Sequence, residues 1–402
     1  MTSALDGLRV LDFSRLLPGP YCTWLMADQG AEVIRVENPR ELAKQAKVFG
    51  WEKLGPEEMA RQRGRDMLAR GKKSIMLDIG DETAQGVLRQ LAATCDIIVE
   101  DYRPGVLAGL GLGYTDMAAE NPALVYLSLT LTGAQGPLAG KPGHDPVALA
   151  LSGVLSRCGE DPDAPGLPGI PAADIATGAH AAFAALAAWH AARATGQGRH
   201  VDVAMADCSM TMLANILSRH ENPADAPPRG TRRADLGLWQ CADGKWLCTT
   251  DMEPRYWATF CTVMGVPQFT SAQLDAARRN EIRSTLAGLF ATQPRAHWLT
   301  LFEEAGTQFA PVNDVSEALA EPHFRARRMV VEVEAPGGAL TQLGPPVRLG
   351  GEPAPAPARL PGTDTEAVLG RLGLGPDDIQ ALTRAPTQMH ATAQPSPAQQ
   401  TS

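Results

Sequence analysis

A histidine and two aspartates stand at two points of the chain where loops lead into apolar helical stretches. His144 and Asp145 follow Gly143, and Asp174 comes 29 residues after Asp145 in the stretch PAADIATG at 171–178. A positioned and partly desolvated carboxylate could attack an activated acyl group such as a thioester. It could instead pair with the histidine to move a proton, since an imidazole titrates near neutral pH. The residues alone leave both chemistries open.

Structural roles compete with these chemical ones. Asp174 suits a helix N-cap, because an aspartate ahead of an apolar run beginning near Ile175 can accept backbone N–H groups. His144 suits a loop histidine that shapes a pocket. Glu253, which directly precedes Pro254, suits an acid at a helix amino end.

The composition is typical of a globular, enzyme-like chain. Its 402 residues are 44% hydrophobic and 20% charged, enough for two domains or for one large domain with an insertion. The formal net charge of −9 argues against a nucleic-acid surface. The seven cysteines form no C-x-x-C pair, so we predict neither a zinc site nor a redox motif.

The sequence also bears on location. Residues 1–7 lack the pattern of a signal peptide, and no run of 18 apolar residues occurs. The alanine-rich stretch at 179–192 is short and contains His180 and His190. We therefore expect a cytoplasmic protein that makes no membrane contact.

Strands and helices alternate in the first half of the chain. Strands are predicted at 8–13, 31–37, 74–78, 96–100, 124–129 and 200–207, and helices at 21–30, 83–94 and 179–194. This alternation predicts an α/β fold with an open, doubly wound, mostly parallel sheet.

The character of the sequence changes near residue 222. A Pro-rich linker at 221–230 leads to a hairpin centred on ADG at 242–244. We predict a large domain over 1–221, a smaller α+β domain over 225–330, a C-terminal segment over 331–383, and a disordered tail over 384–402.

Six stretches in a fixed order carry a family resemblance. They are LDGLRVLDFSRLLPGP (5–20), LMADQGAEVIRVE (25–37), ARGKKS (69–74), DYRPGV (101–106), ATGQGRHVD (194–202) and APVNDVSEAL (310–319). Together they resemble the class III CoA-transferase superfamily, which includes formyl-CoA transferase-like and carnitine CoA-transferase-like enzymes and the α-methylacyl-CoA racemases. The resemblance runs from about residue 5 to 383.

The resemblance implies an architecture and substrates. It implies a Rossmann-like large domain to which the segment 331–383 returns, and two such chains interlocked into a homodimer. Acyl-CoA and a carboxylic acid are the implied substrates, with coenzyme A arriving as a substrate and no tightly bound cofactor.

The resemblance also implies contacts to coenzyme A. Lys72, Lys73 and Arg103 become candidates for its phosphates, since Lys and Arg suit phosphate recognition. Pro18 and Gly19 are expected beside the nucleotide or pantetheine, because glycine lets a backbone come close.

One position departs from the family pattern. Many relatives carry an arginine directly after the acid that ends the second strand, whereas this chain has Asn38. Arg40, two residues further on, is the candidate substitute.

Two reactions follow from the resemblance. In the transferases, Asp174 would attack the thioester and carry coenzyme A as an aspartyl-CoA thioester. In the racemases, His144 and Asp174 would exchange the α-proton of the acyl group, with Glu253 orienting His144.

Neither template is complete in this chain. The residues after Asp174, IATG, lack the glycine run of the racemases, and RRADLG at 232–237 matches neither group. We favour CoA transfer, the more widespread chemistry of the superfamily, and keep racemisation as the alternative. A non-catalytic acyl-CoA-binding subunit is a more remote possibility.

Overall fold

The structure is a computed structural model that describes residues 2–159, 161, 163–228 and 233–383. The tail predicted at 384–402 lies outside the described residues. Within these limits the chain forms two compact units. The first contains residues 2–154, 170–213 and 331–383, and the second contains residues 155–169 and 214–330.

The strands and helices are numbered in chain order. The strands are β1 (Arg9–Asp12), β2 (Glu32–Glu37), β3 (Lys73–Met76), β4 (Ile97–Glu100), β5 (Val125–Thr130), β6 (Arg199–Ala204), β7 (Gly237–Gln240), β8 (Trp246–Thr249), β9 (Phe309–Val312), β10 (Val330–Val333) and β11 (Leu340–Leu343). The helices are α1 (Pro18–Ala27), α2 (Pro39–Phe49), α3 (Pro56–Gly64), α4 (Glu82–Ala93), α5 (Tyr114–Glu120), α6 (Asp145–Leu151), α7 (Ala172–Thr195), α8 (Met205–Met210), α9 (Ala214–Arg219), α10 (Pro254–Val263), α11 (Arg279–Phe290), α12 (Arg295–Ala305), α13 (Val315–Ala320), α14 (Pro322–Ala326), α15 (Thr365–Gly370) and α16 (Pro376–Thr383).

A six-stranded sheet organises the first unit. Its strand order is β3-β2-β1-β4-β5-β6, and every neighbouring pair is parallel. The predicted α/β fold with a parallel sheet is therefore confirmed. The order changes direction between β1 and β4, and sheets of this kind bind ligands in the crevice at the carboxyl ends of such strands.

Two hydrophobic cores flank this sheet. Val10 and Val33 belong to the core that contains α1 and α7, whereas Leu11 and Ile34 belong to the core that contains α4 and the C-terminal helices. Successive residues of a strand point to opposite faces, so neighbouring residues of β1 and β2 enter different cores.

Two helices begin at least three residues earlier than the sequence predicts. Helix α1 begins at Pro18 rather than Tyr21, because a proline at the first helical position lacks an N–H group that would be unpaired there anyway. Helix α7 begins at Ala172 rather than Ala179. Its first N–H groups find an acceptor, Asp145, in a distant part of the sequence.

The C-terminal segment packs along the outer side of β3. Oδ2 of Asp364 accepts the backbone N–H of Ser74 at 2.9 Å, and Oγ1 of Thr365 accepts that of Met76 at 3.0 Å. The Asp364 backbone N–H donates in turn to the Ser74 carbonyl at 2.9 Å. An edge strand otherwise leaves such backbone groups unpaired, so these contacts protect one side of the sheet.

The second unit is built around a small antiparallel sheet. Its strand order is β7-β8-β9, and the predicted hairpin at 242–244 does connect β7 and β8. Aromatic side chains fill its core, with Trp239 stacked on Phe290 at a centroid distance of 5.3 Å. Across the described ranges, no helix is both long enough and apolar enough to cross a membrane.

Candidate active site

Asp174 lies in the first turn of α7, and its backbone is held from outside that helix. Oδ1 of Asp145 accepts the N–H of Ala173 at 2.6 Å and the N–H of Asp174 at 3.1 Å. Asp145 is only 8% exposed, so this contact is protected from water. The N-cap role considered for Asp174 is therefore wrong, because the cap comes from Asp145 and Asp174 already lies within the helix.

The Asp174 carboxylate itself is half-buried. Within the described chain, its oxygens accept no hydrogen bond. Burial and then the Asp145 charge raise the pKa of Asp174 to about 6, while the charge of His144 acts in the opposite direction. A carboxylate that titrates this close to neutral pH is more basic than an ordinary aspartate, which is typical of functional sites.

His144 stands at the amino end of α6. It is the N-cap residue, its backbone is extended, and its side chain is exposed and makes no capping hydrogen bond. Its effect on the pKa of Asp174 means that the two charges interact. The first unit thus brings His144, Asp145 and Asp174 together.

A glycine sets the approach of α7 to α1. A Cβ atom at Gly178 would lie 2.7 Å from the carbonyl oxygen of Pro18 and 2.8 Å from the Tyr21 ring. Gly178 follows Asp174 by one helical turn, a rise of ~6 Å. The start of α1, with Pro18, therefore lies close to the turn that carries Asp174.

Gly19, also predicted to lie near the ligand, is buried at the second position of α1. A Cβ atom there would lie 2.3 Å from the Cβ of Ser14. Close packing inside the strand-to-helix turn therefore explains the glycine without any ligand. The predicted contacts of Pro18 and Gly19 with coenzyme A stay predictions.

The two lysines predicted to bind phosphate both have partners within the chain. Lys72 is 3% exposed, and its Nζ donates to Oδ2 of Asp12 at 2.9 Å and to Oγ1 of Thr23 at 2.5 Å. Lys73 begins β3, at the amino end of the parallel strands, and pairs with Glu32. Both contacts with coenzyme A remain untested predictions, and the burial of Lys72 and the position of Lys73 count against them.

The two arginines are better placed. Arg40 follows the carboxyl end of β2, is exposed, and pairs through Nε with Oδ2 of Asp78 at 2.7 Å. Arg103 follows the carboxyl end of β4 and is also exposed. The Arg103 guanidinium makes no hydrogen bond or ion pair with the residues that the structure describes.

Sequence reasoning missed Arg15, which joins the two central strands at the crevice. It follows β1, and its side chain pairs with Asp101 and with Glu41, both at 3.1 Å. The guanidinium carbon lies 3.6 Å from the centroid of the Tyr102 ring. Arg15 and residues 101–102 follow the two central strands in the sequence. Their shared position after these strands is the feature from which the cluster could have been predicted.

Glu253 belongs to the second unit. It is the N-cap residue of α10, directly before Pro254, and its exposed side chain makes no capping hydrogen bond. Its predicted role in orienting His144 stays a prediction. Among the described residues, no group of three or more His, Cys, Asp or Glu side chains is arranged to hold a metal ion.

Comparison with known proteins identifies the family to which this fold belongs. The family model described as CoA-transferase family III matches residues 5–366, so the chain belongs to that family.

Two curated relatives represent the two chemistries. A human succinyl-CoA:glutarate CoA-transferase is 31% identical, with 86% of this chain and 80% of the relative covered. A mouse alpha-methylacyl-CoA racemase is 29% identical, with 94% of this chain and 96% of the relative covered.

A solved structure of a CAIB/BAIF family protein from Brucella suis is similar in fold. Its TM-score is 0.78 and its sequence is 28% identical, with 92% of this chain and 100% of that chain covered.

Proposed function

We propose that this chain is an acyl-CoA:carboxylate CoA-transferase that uses Asp174 as the covalent carrier of coenzyme A. The observation that carries the proposal concerns the Asp174 carboxylate. It accepts no hydrogen bond within the described chain, and burial raises its pKa to about 6. At neutral pH such a group is mostly ionised and yet more basic than a solvated aspartate, as a nucleophile requires. The similarity to a succinyl-CoA:glutarate CoA-transferase supports transfer.

The proposed reaction proceeds through two kinds of intermediate. An Asp174 oxygen attacks the thioester carbonyl, the C–S bond breaks, and the CoA thiolate leaves with its electron pair. The thiolate then attacks the aspartyl carbonyl of the resulting mixed anhydride, and the donor carboxylate leaves. The acceptor carboxylate attacks the aspartyl-CoA thioester formed in this way, and the CoA thiolate leaves again. The thiolate then attacks the acceptor carbonyl of the second mixed anhydride, which releases the new acyl-CoA and regenerates the Asp174 carboxylate.

The proposal assigns supporting roles to other residues. The Asp145 cap keeps the backbone of Asp174 in place during these attacks. Arg40 and Arg103, at the carboxyl ends of β2 and β4, are proposed to contact the phosphates of coenzyme A. Pro18 and Gly19 are proposed to lie beside its pantetheine.

An interlocked homodimer is also proposed, from the family resemblance. Phe183 and Met210 of the first unit are 75% and 55% exposed, and a partner chain would cover such large apolar side chains. The cytoplasmic location stays a prediction.

Racemisation is the second candidate. The observation in its favour is the charge interaction between His144 and Asp174, because two bases must act on one α-carbon. One base would remove the α-proton to give a thioester enolate, and the other would return a proton to the opposite face. Glu253 would orient His144, and the similarity to the mouse alpha-methylacyl-CoA racemase supports this candidate.

Mass spectrometry of the intact protein separates the two candidates. The chain is incubated with succinyl-CoA and with 2-methylacyl-CoA thioesters, with hydroxylamine to trap an activated aspartate, and α-deuterium incorporation is followed by NMR in D2O. Transfer predicts a CoA-sized or hydroxamate adduct on Asp174 that Asp174→Asn abolishes and the exposed-loop control Asp163→Ala retains. His144→Ala should weaken this adduct only partly.

Other outcomes contradict the proposal in different ways. Deuterium at the α-position without an adduct would establish the racemase and reject transfer. Neither adduct nor deuterium across the whole panel would favour a non-catalytic acyl-CoA-binding subunit.

A further inference from the structure

A cavity of about 110 Å³ lies at the carboxyl ends of β4 and β5, within the first unit. Glu100, Ser128, His200 and Arg103 line it with polar groups, and Tyr114 and Tyr126 line it with aromatic rings. We call this cavity the Glu100 pocket. Asp174 is not part of its lining, and among the polar lining residues only Arg103 has a role in the reaction proposed above.

The carboxyl group of Glu100 is deeply placed. The residue ends β4, is 6% exposed, and accepts the backbone N–H of Tyr102 at 2.7 Å. Burial raises the pKa of Glu100 to about 7, although hydrogen bonds from Ser128 and Tyr102 and the charge of Arg15 lower it. Both the protonated and the ionised form of Glu100 therefore occur near neutral pH.

A hydroxyl connects this carboxyl group to the surface. Ser128 lies opposite Glu100 in the β4–β5 register, and its Oγ is 2.9 Å from Nε2 of His200. The exposed His200 ring stacks on Tyr114 at 5.5 Å and meets the Tyr126 ring edge-on at 5.6 Å. The imidazole is thus fixed at the opening of the pocket, beside an apolar wall.

The other charges nearby decide which ligand fits. The charge of Asp101 raises the pKa of Glu100, but Asp101 is paired with Arg15. Burial, and with it the charge of Asp116 in α5, raises the pKa of Tyr126. The guanidinium of Arg103, in contrast, has no hydrogen bond or ion pair within the described chain. The guanidinium of Arg103, which lines the same pocket as His200, attracts an anion, and a protonated Glu100 adds no negative charge against it.

We propose that the Glu100 pocket binds a short-chain carboxylic acid as its anion, with Arg103 and His200 facing the carboxylate and the alkyl chain against Tyr114 and Tyr126. Glu100 is protonated in this complex, so binding takes up a proton whenever Glu100 starts out ionised. A carboxylate fits better than inorganic phosphate because the tyrosine wall offers apolar contact to an alkyl chain. The proposal does not depend on the transferase or racemase assignment.

Calorimetric titration of the full chain with butyrate tests the proposal. Coenzyme A is left out, because Arg103 is also proposed to contact it. Affinity should fall as the pH rises through 7 towards 8, by up to about tenfold per pH unit, because the complex requires a protonated Glu100. Titrations in buffers with different ionisation enthalpies should show proton uptake at pH 8.

Variants identify the group that takes up the proton. Glu100→Gln keeps an acceptor for the Tyr102 N–H but cannot titrate, so proton uptake at pH 8 should fall by at least half. Ser128→Ala removes a hydrogen bond that lowers the pKa of Glu100, so the pH dependence should move to higher pH. The exposed carboxylate variant Asp163→Asn, whose residue is not part of the pocket lining, should behave like the unmodified chain.

Three results would overturn the proposal. They are the absence of saturable butyrate binding at pH 6, an affinity that does not change with pH, and loss of binding in Asp174→Asn, which would place butyrate at the reaction centre instead. If Glu100→Gln does not fold, judged by its circular dichroism, the direction of the Ser128→Ala shift decides.

Discussion

Asp145 affects Asp174 in two separate ways. Its Oδ1 accepts the first N–H groups of α7, which fixes the backbone at Asp174, and its charge helps to raise the pKa of the Asp174 carboxyl. Asparagine keeps an acceptor oxygen of the same size and removes only the charge. Substitution at residue 145 can therefore separate the positioning of the nucleophile from its electrostatic tuning.

Asp145→Asn should shift the pH profile of the Asp174 reaction to lower pH. The reactive carboxylate form appears as the pH rises through the pKa of about 6, and loss of the neighbouring negative charge lowers that pKa. Single-turnover adduct formation between about pH 4.5 and 8 should therefore reach half its plateau at a lower pH than in the unmodified chain. An unchanged midpoint would mean that burial alone sets the pKa.

Asp145→Ala serves as the companion variant, because it removes the acceptor as well as the charge. It should lower the free energy of unfolding by about 1 kcal/mol through loss of the helix cap, measured by urea denaturation. Asp145→Asn should keep most of that stability.

At the scale of secondary structure, the contact between α1 and α7 determines where the reactive residue lies. The turn after β1 and the first turns of α7 approach each other only because residue 178 has no side chain. Any side chain there would push apart the two helices that bring the Asp174 turn to the crevice.

Gly178→Ala should therefore reduce both stability and activity. The added methyl group would meet the backbone oxygen of Pro18 at 2.7 Å, and such overpacking costs roughly 1–3 kcal/mol. The matched control is Gly288→Ala in α11, where no atom lies within 4 Å of the new Cβ. That change should stabilise the chain by up to about 1 kcal/mol, since alanine is the better helix former.

Thermal unfolding together with the adduct assay checks this pair. Equal stability changes at positions 178 and 288 would show that α7 can shift away from α1 without loss. An activity loss confined to Gly178→Ala would connect the helix contact to the position of Asp174.

The sequence predicted these elements unevenly, for physical reasons. The β1–α1–β2 unit and the hairpin at 242–244 have local patterns, so their existence could be predicted. The early start of α7 depends on an acceptor 28 residues away, which no local pattern contains. Lys72 and Lys73 look equivalent in the sequence, but neighbouring residues of an extended chain point in opposite directions and only one of them is buried.

At the scale of the whole molecule, the first unit is assembled from three separate stretches of chain. Its last stretch is attached through the backbone of β3, with contacts that join residues 290 positions apart. Ser74 and Asp364 are both buried, so water cannot replace these hydrogen bonds without exposing the sheet.

Asp364→Ala should destabilise the first unit. It leaves the buried backbone N–H of Ser74 without its acceptor, and an unsatisfied buried donor costs about 1–3 kcal/mol. Hydrogen exchange should show faster exchange of the amide protons of β3. The exposed Asp377→Ala of α16 is the control and should change the free energy of unfolding by less than about 0.5 kcal/mol.

The attachment of the last stretch to β3 also has a consequence for synthesis on the ribosome. All six strands of the sheet leave the exit tunnel before the residues that cover the outer side of β3 have been translated. Until then the nascent chain presents an open strand edge that can pair with another chain. Expression of this protein should therefore depend on chaperone supply more than expression of a protein whose sheet is completed by neighbouring sequence.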